Sequence, residues 1–126
     1  SQEGLMLQLK SGESDLNIEV DFRIDPKLPA PGLAFGISDG LNQTVASVIS
    51  IHDGARLKVD AEGRGKGSIT FTKLPLLKGD YAVTVFLSTE DALHPYDQVE
   101  HCIKFRVTQS SLEQGIVSLP HHWNMP

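Results

Sequence analysis

Cysteine is nearly missing from this chain: it occurs once, at Cys102, so no disulfide can close within it. Secreted sandwiches of this size often carry a bridge, and a lone thiol favours a reducing compartment. Basic residues are in the minority, 11 Lys and Arg against 16 Asp and Glu, for a net charge of −5. Such a balance argues against a general nucleic-acid binder and an anionic membrane surface, both of which call for a basic face. No run reaches the roughly 20 apolar residues of a membrane helix, and no signal-peptide pattern opens the chain. Internal repeats are missing, as is any helix-length stretch with a 3.6-residue apolar period. There is also no nucleophile elbow, phosphate-cradling loop, zincin motif or Walker motif.

The residues that could carry chemistry do not assemble into a catalytic set. His121 and His122 are adjacent, and neighbours on an extended chain point apart, with no Cys or carboxylate at ligand spacing. Cys102 and His101 fail as a nucleophile pair for the same reason. The 63–67 glycine tract lacks the strand-loop-helix setting of a phosphate loop. Glu90, Asp91 and Asp97 share a stretch that calcium could use, but a solvated acidic loop is the preferred reading. Asn42-Gln43-Thr44 matches a glycosylation sequon, which matters only in a secretory setting. We therefore expect no enzyme, no metal and no cofactor in this chain.

What the sequence does have is period two. Leu16, Ile18, Val20, Phe22 and Ile24 alternate with Asn17, Glu19, Asp21 and Arg23, one dry face and one wet face as in an antiparallel sheet. Asp25-Pro26 ends that strand. Leu33, Phe35 and Ile37 alternate with Ala34, Gly36 and Ser38 before an Asp39-Gly40 turn. Tyr81, Val83, Val85 and Leu87 alternate with Asp80, Ala82, Thr84, Phe86 and Ser88. Shorter strands are expected over 5–9, 44–51, 69–74, 99–107 and 115–119, with 55–61 a weaker candidate. Residues 63–67 read as a mobile glycine loop, 89–98 as a long polar loop of the kind that is often functional, and 110–114 as a helical turn. Leu76-x-x-Gly79-x-Tyr81 resembles the tyrosine corner of Greek-key sandwiches, in which a Tyr bonds back across the preceding turn. About eight short strands in 126 residues give one all-β domain, 1–126, an antiparallel Greek-key β-sandwich. The chain opens on Ser1 without Met, so we expect it to be a piece of something longer, with any targeting signal in the missing part.

If the larger apolar set fills the core, the opposite set faces out. It comprises Ala34, Gly36 and Ser38, then Ala82, Thr84 and Phe86, then Cys102, Lys104 and Arg106. Small residues leave a hollow, an aromatic ring offers a sugar a flat platform, and cations supply charged donors. Lys104 and Arg106, about 7 Å apart on one strand face, suggest an anionic ligand. The candidate binding residues are Thr84, Phe86, Lys104 and Arg106, with Ser38 and His101 behind them. A face covered by another domain, a subunit or the terminal strand fits the same pattern.

The chain further resembles a known family. Phe35-Gly36-Ile37, Leu76-x-x-Gly79-x-Tyr81, Tyr96-Asp97, Phe105-x-Val107 and Gly115-x-Val117-x-Leu119-Pro120-x-x-Trp123 follow one another in order from about Val20 onwards. They are similar to the C-terminal carbohydrate-binding domain of Wzt-type ATP-binding subunits, from ABC transporters that export O-antigen polysaccharide. The resemblance implies an immunoglobulin-like sandwich behind a cytoplasmic nucleotide-binding domain, working with a membrane subunit at the inner membrane face. It implies recognition of the modified non-reducing terminus of a lipid-linked glycan, coupling chain termination to export. It also implies a homodimer, by exchange of a C-terminal strand, and leaves any ATPase activity to the absent domain. Alternatives are a secreted carbohydrate-binding or adhesion module and a purely structural subunit-contact domain.

Overall fold

The computed structural model describes residues 6–88 and 95–126, with backbone alone over 95–102. Seven strands are present among the described residues: β1 (Leu7–Lys10), β2 (Leu16–Arg23), β3 (Gly32–Ser38), β4 (Thr44–Ile49), β5 (Arg64–Phe71), β6 (Gly79–Ser88) and β7 (Pro95–Thr108). There is no helix among the described residues, and so none long and apolar enough to cross a membrane. One sheet has the order β1-β7-β6-β3-β4, and β2 and β5 form the second. The two pack together as a β-sandwich. Every pairing is antiparallel except β1 with β7, where Leu7 to Lys10 run parallel to Phe105 to Thr108.

The period-two sets fill the space between the sheets. Leu16, Ile18 and Phe22 from β2 meet Leu33, Phe35, Ile37, Tyr81, Val83, Val85, Leu87, Phe105 and Val107. Burying each such side chain is worth about 1.5–3 kcal/mol, and that gain holds the two sheets face to face. The tyrosine corner forms as expected. The Tyr81 hydroxyl donates to the Leu77 carbonyl at 2.7 Å, across a turn in which Gly79 takes φ +155°. The ring packs on Phe105 with centroids 5.4 Å apart.

Four local expectations are corrected. Most of the 63–67 tract is strand, because β5 starts at Arg64 and pairs with β2 through Arg23↔Arg64 and Phe22↔Gly65. Its glycines provide room: a Cβ on Gly65 would collide with the Phe22 ring, and one on Gly67 would lie 2.7 Å from Leu33 Cδ2. The 55–61 stretch supplies one bridge, Val59 to Gly65, and the 115–119 stretch another, Val117 to Leu76. That second bridge is bracketed by Leu77 N–H to the Ile116 carbonyl at 2.7 Å and Ser118 N–H to the Pro75 carbonyl at 2.8 Å. No helical turn forms at 110–114. There the Gln109 amide donates to the Ser111 and Glu113 carbonyls, and its oxygen accepts from Lys78 N–H at 2.7 Å.

Candidate functional site

The outward face of the five-stranded sheet is set by register. Across the strands, Gln8, Arg106 and Asp80 form one row, and Lys104, Ala82, Ser38 and Thr44 a second. Thr84, Gly36 and Ser47 form a third, and Phe86, Ala34 and Ile49 a fourth. Alternation on β3 and β6 explains it, since their other residues are committed to the core. The centre of the face is therefore small: Ala82, Ala34 and Gly36. A Cβ on Gly36 would meet only the Phe86 ring, at 3.8 Å, so the ring lies beside an open backbone floor. Phe86 and Thr84 are half-buried and Lys104 is exposed.

Thr84, Phe86, Lys104 and Arg106 thus share one face. Ser38 is on it too, but only 8% exposed, where a register shift separates it from Ile37; its hydroxyl belongs to the floor more than to the open surface. His101 lies in β7 within the stretch whose side chains are not described. Glu90, Asp91 and His94 fall outside the described residues, as do the side chains of Tyr96 and Asp97. The Tyr96-Asp97 pair, expected in a loop, lies within β7 by its backbone.

Two features of the face escaped sequence reasoning. The first is a bulge. Val83 pairs with Ile103 but Val85 with Val99, so β7 has two more residues than β6 in that interval, and no β7 partner is paired with Thr84. Bulges re-aim side chains and are common beside binding sites. The second is Asp80. Arg106 Nε donates to Asp80 Oδ1 at 2.7 Å and Nη2 to Oδ2 at 3.1 Å. The Arg106 hydrogen bonds, reinforced by its charge, hold the Asp80 carboxyl below the usual carboxylate range. Asp80 was already in the outward half of its strand's alternation, but nothing in the sequence paired it with Arg106.

Elsewhere, a cavity of about 110 Å³ is lined by Ala30, Pro31, Ile51, Gly54, Ala55, Arg56 and Leu57. Its lining side chains are apolar apart from Arg56, a poor match for a hydroxyl-rich ligand. Among the described residues, no three His, Cys, Asp or Glu side chains converge to hold a metal ion.

Comparison with known proteins gives one consistent result. A family model described as the Wzt C-terminal domain matches residues 3–119. The match begins well before Val20 and stops short of Trp123. A solved structure, "Crystal structure of the C-terminal domain of wzt", superposes with a TM-score of 0.74 at 13% identity, covering 94% of this chain and 74% of that one. At that identity the likeness shows the fold. No curated protein matches the chain.

Proposed function

This chain belongs to the Wzt C-terminal domain family, the carbohydrate-binding domains of O-antigen ABC transporters, and from that premise we propose that it reads the modified non-reducing end of a lipid-linked O-antigen glycan. Such a domain binds and does not catalyse; ATP hydrolysis belongs to a nucleotide-binding domain. Reading the finished end couples chain termination to export, on the cytoplasmic side of the inner membrane and next to the transporter's membrane subunit.

The observation that carries the proposal is the outer face itself. Phe86 stands beside the bare backbone of Gly36, with polar side chains of Thr84, Lys104 and Arg106 on the same surface. A pyranose ring has an apolar face and a hydroxyl rim, and this face offers a partner for each. The test is titration of the ¹⁵N-labelled chain with O-antigen fragments. The amides of Phe86, Gly36 and Lys104 should shift, and Arg106→Ala or Lys104→Ala should abolish binding while leaving the fold intact. Unchanged affinity in both variants would remove this site assignment.

A second reading concerns assembly and is compatible with the first. Leu119, Trp123 and Met125 are 68%, 82% and 80% exposed, an unusual amount of bare apolar surface for one terminal segment. We propose that this segment packs on a second copy in a homodimer, by exchange of the C-terminal strand. Sedimentation showing only the 13.8 kDa single chain at high concentration would count against it.

A further inference from the structure

We infer that the outer face of the five-stranded sheet selects a neutral, hydroxyl-bearing sugar over an anionic cap, with Asp80 and Arg106 acting as one hydrogen-bonding unit. This rests on the proposal that the face binds glycan, and it decides the chemical class of what binds.

Asp80 and Arg106 stand directly opposite each other on paired strands, so the ladder fixes their Cα positions. The two bonds between them engage both carboxylate oxygens and two guanidinium nitrogens. This is the bidentate geometry an anionic ligand would itself have used on Arg106. An arriving phosphate or carboxylate therefore meets a cation already matched, with the Asp80 charge beside it. Lys104 remains, exposed and without a partner among the described residues. A single solvated ammonium on a flexible stem is a weak anchor for an anion, while its three N–H donors remain usable by a neutral sugar's hydroxyls.

What the pair retains suits a hydroxyl. Arginine carries five N–H donors and a carboxylate about four acceptor sites, so unused donors and unused lone pairs lie side by side. A sugar hydroxyl is donor and acceptor at once, and two adjacent hydroxyls can use both. An anion offers acceptors only and leaves the Asp80 lone pairs facing its own charge. Beyond the pair, Ala82, Gly36, Ala34 and Phe86 continue the surface as an apolar floor for the ring.

The test uses four probes: methyl α-mannopyranoside and methyl α-rhamnopyranoside as neutral sugars, glucuronic acid and mannose 6-phosphate as anionic ones. Each is titrated into the ¹⁵N-labelled chain while the Phe86, Gly36 and Ala82 amides are followed. The neutral sugars should bind at least about fivefold more tightly than either anion, and their affinity should change less than about twofold between low and high salt. Asp80→Ala should free Arg106, weaken the neutral sugars and reverse the preference. Amides remote from the face report whether that variant remains folded. Tighter binding of the anionic pair by the wild-type chain, strong salt dependence, or an unaltered preference in folded Asp80→Ala would overturn the inference while leaving the glycan face standing. Silence of the Phe86 amide to all four sugars would overturn the glycan face itself.

Discussion

Tyr81 shows how one side chain ties the core to a turn. Its ring stacks on Phe105 and its hydroxyl ends on the Leu77 carbonyl. Tyr81→Phe removes the donor and leaves a buried carbonyl unpaired, at a cost of about 1–3 kcal/mol, measurable by urea denaturation. Burial, reinforced by the Asp39 charge, pushes the phenol pKa above its ordinary 10.0. Below pH 10 the folded and unfolded chains are both protonated at this site, and its contribution is constant. Above it the unfolded chain ionises first, so stability should fall with rising pH until the folded phenol ionises too. Tyr81→Phe should flatten that alkaline slope. Gly36 separates folding from binding in the opposite way. An added Cβ meets the Phe86 ring at an ordinary 3.8 Å, so Gly36→Ala should keep or raise stability, by about 0.5–1 kcal/mol. The same methyl group fills the floor, so glycan affinity should drop; undiminished affinity would show that the floor is not used.

Strands β3 and β6 were readable from sequence because each devotes one parity to the core. Tyr81, Val83, Val85 and Leu87 leave no ambiguity about which way Thr84 and Phe86 point. Only the end of β5 was readable, where Ile69 and Phe71 fall in the expected 69–74 strand; its first half was not, since glycine is ordinarily punctuation between elements and Arg64-Gly65-Lys66-Gly67 has no apolar alternation of its own. Its register is imposed by what covers it. Gly67→Val should therefore cost about 1–3 kcal/mol through overpacking against Leu33 and Leu57, seen as a lowered thermal midpoint. A mobile loop at that position would show no effect. The β7 bulge was hidden for a related reason. Counting in twos back from Phe105 reaches Ile103, position 101 and Val99 alike, yet it is Val99 and not position 101 that pairs with Val85. An insertion of two residues keeps the parity and so leaves no mark in the alternation of residue types. The Asp80–Arg106 pair was hidden likewise: each was placed outward by its own strand, and only the ladder between strands brings them together.

At the scale of the whole chain, composition and alternation sufficed for a two-layer sandwich, while strand order did not follow from them. The parallel contact between β1 and β7 joins residues nearly a hundred positions apart, and local pattern holds no trace of it. The C-terminal segment also differs from expectation, holding to the 75–77 stretch by one bridge while Leu119, Trp123 and Met125 stay bare. Deleting residues 120–126 should leave the thermal midpoint nearly unchanged and abolish self-association, as read by light scattering. Persistent dimers after the deletion would place the contact elsewhere. The β1–β7 ladder has a mechanical consequence. The first end of β1 and the last end of β7 lie at opposite ends of a parallel pair, so tension pulling on residues 7 and 108 slides one strand along the other. The four rungs from Leu7↔Phe105 to Lys10↔Thr108 then bear the load together, as in a lap joint, instead of peeling one at a time.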